Sequence, residues 1–323
     1  MEARSVFTFV IPARNEEENI ATIVRQACAA AQPGDRVLVV DSASSDATAR
    51  RAVAAGAEVL RGPRGKGAAM AVAIAASTSP WLCFLDADLV SSDVNVPAML
   101  RRAAMSGTAD HVVGDYEYAD VGTILSSTFT IYEPLVAEFF PEVGALGANS
   151  LTGYRAIRRR YLGGVLPAHF GVESHLNISI AVAGGTATVC QLGVIASRFR
   201  YKPDMCREIA GSLLDLAVAH DRLDPGDRPS WNSWVDGVPP PSPRLRPPAA
   251  GRPLWHGSSR RCAGRCRPAR PVPASRQHPS RRRRDARSAA CRPVGQESFL
   301  VVEFAFQSAE AVVGEAAGIA PAQ

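Results

Sequence analysis

The sequence predicts an α/β fold built as a doubly wound, mostly parallel sheet. Two observations carry this. Over the first 90 residues, short apolar runs rich in β-branched side chains alternate with helical apolar stripes, the pattern of parallel strands joined by right-handed crossovers. Polar loops bearing glycines or acids then fall at or near the carboxyl ends of those runs, where open α/β sheets bind ligands. A chain of 323 residues, 46% of them hydrophobic, suffices for one large α/β domain or two smaller ones.

The elements follow in order. Residues 6–11 are β-branched and aromatic and read as the first strand, which Pro12 ends. Asn15 is placed as a helix cap, with the glutamates Glu16, Glu17 and Glu18 in the first turn. Ile20, Ile23, Val24, Ala27 and Cys28 continue the stripe as far as Pro33-Gly34. Residues 36–41 form a second strand ending in Asp41; the loop 42–46 lets Ser45 or Asp46 cap the next helix. Residues 56–60 give a short third strand. The loop Gly62-Pro63-Arg64-Gly65-Lys66-Gly67 leads into an alanine-rich helix to about Ser77.

The fourth strand organises the chain. Trp81-Leu82-Cys83-Phe84-Leu85 is an apolar run suited to a central covered strand, and it runs into Asp86-Ala87-Asp88. Successive side chains of a strand point to opposite faces, so Asp86 and Asp88, two apart, share a face. Two acids there suit a hard divalent cation, Mn2+ or Mg2+, which could neutralise a diphosphate. An isolated Asp-x-Asp is more often a solvated acidic turn, so its companions decide its meaning. Further on, helices are expected over 96–105, 132–140, 172–183 and 204–220, strands over 111–116 and 186–194, and a loop over 144–155.

After residue 222 proline, arginine, serine and glycine take over, with little apolar periodicity. Residues 223–323 are read as a Pro/Arg-rich tail, disordered or loosely attached, beyond a domain spanning 1–222. An out-of-frame reading of a GC-rich gene produces the same composition; intact mass and resequencing decide it. The net charge of +5 is concentrated in that tail, so a nucleic-acid partner is not expected. Seven dispersed cysteines form neither a disulfide framework nor a zinc spacing. No signal pattern and no membrane-length apolar run is seen, so a cytoplasmic protein without stable membrane insertion is expected. A homodimer is compatible with this reading.

Four motifs together suggest a grip on a nucleoside-diphosphate sugar. Pro12, Ala13, Arg14, Asn15 and Glu16 can face base and ribose. Asp41 and Ser42 can hydrogen-bond a uracil or its ribose. Lys66, between Gly65 and Gly67, can pair with diphosphate oxygens. Asp86 and Asp88 supply the metal ligands, with Asp88 the principal one and Asp86 nearer the ribose or sugar.

In the order and spacing of these motifs the chain resembles the nucleotide-sugar glycosyltransferases of the GT-A fold, family 2 in the broad sense. Within them its nearest resemblance is to the glucosyl-3-phosphoglycerate synthase group, over roughly residues 5–220. The resemblance implies a nucleotide-sugar half over 1–115 and an acceptor half over 116–222, a UDP-linked hexose donor, a small-molecule acceptor, and retaining chemistry. Gly171-Val172-Glu173 looks like the segment whose acid contacts the donor sugar, so Lys66, Asp88 and Glu173 are the expected catalytic set. Asp115, Tyr116, Thr128, Thr152 and Gly153 are the expected acceptor contacts. Should the chemistry be inverting, Asp115 or Glu173 would be the base.

The departures fall on the acceptor side. Ser197 stands where the group has a metal-ligand histidine, with His169 and His175 as candidate replacements. Ser126 stands where an acceptor-binding arginine is expected. Gly114-Asp115-Tyr116-Glu117-Tyr118 replaces a basic stretch, which suits a hydroxylated, aromatic or amine-bearing acceptor better than phosphoglycerate. Thr152-Gly153-Tyr154-Arg155-Ala156-Ile157 resembles a segment of family 2 enzymes acting on polyprenyl phosphates, which makes Arg155, or the arginines 158–160, candidate phosphate contacts. A nucleotidyltransferase and a non-catalytic binding protein are the other classes weighed; a nucleotidyltransferase would carry a Gly- and Arg-rich loop directly after the first strand.

Overall fold

A computed structural model of the chain describes residues 6–119, 127–198, 202 and 204–238, all within one compact unit, Met1–Ala249. The expectation at Ser126 lies outside the described residues. The chain runs β1 (Phe7–Ala13), α1 (Ile20–Ala30), β2 (Arg36–Asp41), α2 (Thr48–Ala54), β3 (Glu58–Arg61), α3 (Lys66–Ala76), β4 (Trp81–Phe84), β5 (Leu89–Ser92), α4 (Val96–Ser106) and β6 (His111–Tyr118). One π turn, Thr128–Tyr132, leads into α5 (Glu133–Phe139), followed by β7 (Arg155–Arg158), α6 (Val172–Val182), β8 (Ala187–Ser197), α7 (Met205–Ala219) and α8 (Arg228–Gly237).

The eight strands form one sheet in the order β3-β2-β1-β4-β7-β6-β8-β5. The first four are parallel; β7 is antiparallel to both β4 and β6, β8 is parallel to β6, and β5 closes the edge antiparallel to β8. The twofold period of the strands sorts the core. Phe7, Phe9 and Ile11 face α1 and α4 with Val39 and Cys83, while Val10, Leu38, Val40, Leu82 and Phe84 face α3 and α6. Helices on both faces explain why these strands read as unbroken apolar runs. A further core gathers α5, α7 and α8 around Val113, Phe140 and Leu213.

The structure bears on three expectations. The acidic pair does not sit on a continuing strand: β4 ends at Phe84, and Asp86-Ala87-Asp88 turn the chain into β5. The division at 115/116 falls inside β6, so one sheet runs through both halves. Residues 228–237, assigned to the tail, form α8, because Trp231, Trp234 and Val235 supply an apolar stripe that packs into the core beside α7. Among the described residues no helix is long and apolar enough to cross a membrane.

Candidate active site

The loops after β1 and β2 are stitched together. Asn15 does not cap a helix; α1 starts only at Ile20, after Asn19. Asn15 adopts a left-handed conformation, φ 54°, and its side-chain oxygen accepts from Ser45 N at 2.9 Å while its own N–H donates to Ser44 Oγ at 3.0 Å. Glu16 N donates to Thr48 Oγ1 at 2.8 Å, and Asp46 Oδ1 accepts from Thr48 N at 2.9 Å, while the residue at the cap of α2 is Ala47, which has no side-chain cap bond. Strained backbone held by such bonds is frequent where a loop must present a surface to a ligand. Arg14 is exposed, Pro12 and Asp41 half-buried, and Ala13 and Glu16 buried.

Asp41 Oδ1 accepts from Ser44 N at 3.1 Å. Ser42 does not offer its hydroxyl outward as expected: it is buried and donates to Pro63 O at 2.5 Å, fastening the glycine loop to the end of β2. That loop is backed by residues 167–168. A side-chain carbon built on Gly65, whose φ is +120°, would stand 2.2 Å from Ala168 O, and one on Gly67 1.9 Å from Pro167 O. Only glycine permits that approach. The backing directs Lys66 at the head of α3 toward the carboxyl end of β4.

There Lys66 Nζ stands 2.7 Å from Asp86 Oδ1 and 2.5 Å from Glu173 Oε1, the latter in the first turn of α6. The other Asp86 oxygen accepts from Gly153 N at 3.1 Å, and a carbon added to Gly153 would meet Asp86 at 2.0 Å. Burial works against the charge on Lys66, but Asp86 and Glu173 outweigh it and its pKa is raised. Burial likewise pushes Asp86 up, and the Lys66 charge and hydrogen bond bring it below the ordinary range. Asp88 is pushed up to about 7, by burial first and then by Asp86, with Glu16 adding to it. Pro12, Lys66, Met70, Phe84, Leu85, Gly153, Arg155 and Glu173 line a small cleft at this point.

The crowded carboxylates are the test of a cation's fit. Hard oxygens that repel one another are what a divalent ion relieves, and Asp86 and Asp88 could hold one. Among the described residues no third histidine, cysteine or acid joins them, so the remaining positions would fall to diphosphate oxygens and water. The end of β8 lies beside the acidic turn: Ser197 pairs with Leu89, and Arg198 N donates to Asp88 O at 3.0 Å. His169 is engaged elsewhere, accepting from Gly171 N at 3.1 Å.

The acceptor-side expectations divide. Asp115 is not poised as a base. Its Oδ1 accepts from Asn149 N at 3.1 Å and Asn149 Nδ2 at 2.8 Å, and its Oδ2 from Ala148 N at 3.2 Å, so it anchors a turn. Tyr116 is buried edge-on to Tyr118 and Tyr154. Thr128 is buried at the start of the π turn, and Thr152 Oγ1 accepts from Tyr154 N at 3.1 Å. Gly153 alone of the five touches the carboxylates. Arg155 is fully buried and donates to Thr152 O, Asn177 Oδ1 and Ser150 O, so it meets no phosphate. Arg158 and Arg160 pair with Asp110, and Arg159 donates to Ile74 O. Lys202, which no motif marked, lies within electrostatic reach of Lys66, Asp86, Asp88 and Glu173, its amine 3.7 Å from the Phe170 ring centre.

Residues 8–162 match the model of glycosyl transferase family 2. The chain is a GT-A fold glycosyltransferase whose residues 8–162 carry the family 2 domain. Among curated family relatives, the glucosyl-3-phosphoglycerate synthase of Mycolicibacterium paratuberculosis is 27% identical over 281 residues, covering 76% of this chain and 84% of that protein. A crystal structure of the Mycobacterium tuberculosis glucosyl-3-phosphoglycerate synthase, in complex with Mn2+, UDP-glucose and phosphoglyceric acid, superposes with a TM-score of 0.59 at 27% identity, covering 69% of this chain and 82% of that one. The mannosyl-3-phosphoglycerate synthase of Rubrobacter xylanophilus shares the fold, with a TM-score of 0.61 at 24% identity over 69% of this chain and 78% of that one. The chain is thus a hexosyltransferase drawing on a nucleoside-diphosphate sugar.

Proposed function

We propose that the chain transfers glucose from UDP-glucose, with a divalent cation, Mn2+ foremost, to a hydroxyl of a small acceptor, with retention at the anomeric carbon. The observation that carries this is the position of Lys66, ion-paired at once to Asp86 on the cation side and Glu173 on the sugar side. A cleft that seats one ammonium between two carboxylates suits a ligand whose own negative charge lies between a metal and a sugar. The relatives' complexes with UDP-glucose and Mn2+ support the donor and the ion.

In this reading the loops after β1 and β2 receive the nucleoside. Lys66 moves part of its charge from Asp86 to the diphosphate and stabilises it as it departs, and Glu173 orients the hexose. Asp86 and Asp88 would hold the cation, which would supply positive charge where the leaving group gathers negative charge. The acceptor oxygen bonds to the anomeric carbon on the face from which the diphosphate oxygen leaves, and its proton passes to that departing oxygen. No protein nucleophile is required.

Donor hydrolysis and transfer with UDP-glucose, UDP-N-acetylglucosamine and GDP-mannose, with and without Mn2+, test the reading. The acceptor panel starts with 3-phosphoglycerate, which the relatives' structures hold, and continues with neutral hydroxylated and aminated rings. UDP-glucose turnover that requires the metal and gives the α-anomer by NMR is expected. Inversion, or preference for a guanosine donor, would overturn it.

A further inference from the structure

Behind the carboxylates lies a buried polar network that the transfer reaction as described leaves unused. Arg155 opens β7 with no exposed surface. Its Nε donates to Thr152 O at 2.9 Å, Nη1 to Asn177 Oδ1 at 2.9 Å and Nη2 to Ser150 O at 3.3 Å. Asn177 Nδ2 in turn donates to Ser150 O at 2.8 Å and to Tyr132 Oη at 2.9 Å. Among the described residues no carboxylate is hydrogen-bonded to this guanidinium; its bonds go to carbonyl oxygens. A buried charge without a bonded counter-ion is costly, so its retention calls for an account.

Both ends of the network touch the site. Residues 150–153 end in Gly153, whose N–H holds Asp86. Asn177 lies one turn beyond Glu173 on α6, on the same face. Burial works against the Arg155 cation, and the nearby charges of Glu173 and Asp86 favour it.

We propose that Arg155 is a positioning residue for the donor sugar: its planar fork fastens residues 150–153 to α6, which fixes Gly153 against Asp86 and Glu173 beside Lys66. This rests on the donor reading given above. A lysine keeps the charge but cannot reach three carbonyl oxygens in one plane.

Calorimetry with UDP and UDP-glucose on wild type, Arg155→Lys, Arg155→Ala and Tyr132→Phe, beside thermal unfolding, tests it. Tyr132→Phe removes only the outermost hydroxyl and keeps the fold if Arg155→Ala does not. The wild type should bind UDP-glucose more tightly than UDP. Arg155→Lys should lose that increment and lower kcat by about 10²-fold, the scale of a misplaced site, with UDP affinity within about twofold. Tyr132→Phe should lower kcat severalfold at unchanged KM, and millimolar guanidinium should restore Arg155→Ala in part. A wild type that gains nothing from the glucosyl group overturns the donor reading and the proposal with it. A normal wild type with an unimpaired Arg155→Lys, or with UDP affinity, kcat and melting temperature falling together, overturns the proposal alone.

Discussion

Gly65-Lys66-Gly67 and Gly153-Tyr154-Arg155 are alike in composition, each a glycine close to a cation, and both end at Asp86. They differ in what the cation is committed to. Lys66 reaches Asp86 and Glu173 with a point charge on a flexible stem, and it keeps some exposure, so its partners can change when a ligand arrives. Arg155 is sealed in and bonded to carbonyl oxygens across its fork. In the first segment the glycines make room for the loop's backing; in the second the glycine makes room for the carboxylate itself. The same residue types thus serve ligand and scaffold, and burial of the cation tells which.

The contrast breaks most sharply at Lys66. Lys66→Met should lower transfer by about 10²–10³-fold, the loss seen when a donor to developing charge is removed. Steady-state kinetics with UDP-glucose checks it. Transfer at the wild-type rate would make Lys66 as much a scaffold residue as Arg155.

The backing of the glycine loop comes next. Gly67→Ala puts a carbon 1.9 Å from Pro167 O, so the backbone carrying Lys66 must shift. A loss of about 10²-fold in kcat/KM is expected from such a displacement. Gly163→Ala, at a position with open space around it, is the control and should be silent. Equal behaviour of the two variants would show that the loop adapts and that the close approach is incidental.

The two segments also differ in how far the sequence shows them. The first lies in a regular βαβ series, where unbroken apolar runs mark buried parallel strands and each loop can be placed at a strand end. Lys66, Asp86 and their neighbourhood follow from that pattern; the contact with Glu173, 107 positions on, rests on resemblance to the family. The second lies where the pattern fails. β5 and β7 have four residues each and pair antiparallel, too short for periodicity to show. Arginines at both ends of β7 make it read as a charged, phosphate-facing turn. Nothing local reveals that Arg155 points inward, since its partners are carbonyl oxygens and an asparagine 22 residues away. α8 was hidden differently: Pro229 and the polar residues around its tryptophans match the tail's composition. Lys202 stands alone in a polar stretch and has no motif to mark it.

Asp115 carries the smallest expected effect and separates scaffold from chemistry most cleanly. Its sequence context, an acid at a strand end beside tyrosines, suggests an acceptor base. Its carboxylate instead receives Ala148 N, Asn149 N and Asn149 Nδ2, and Gly147, with φ +80°, brings the chain so close that an added carbon would stand 2.6 Å from Asp115. Thr152 N donates to Asn149 O at 2.8 Å, so Asp115 holds the front of the segment that Arg155 holds from behind. Asp115→Ala should therefore cost about 1–3 kcal/mol, the scale of leaving buried donors unmade, seen as a lower melting temperature. Asp115→Asn keeps one carbonyl oxygen to accept these donors, so it should recover most of the stability and most of the transfer rate. A base behaves in the opposite way: Asp115→Asn would fold as the wild type does and transfer nothing. Melting curves and kcat on the same two variants decide which side of the comparison Asp115 belongs to.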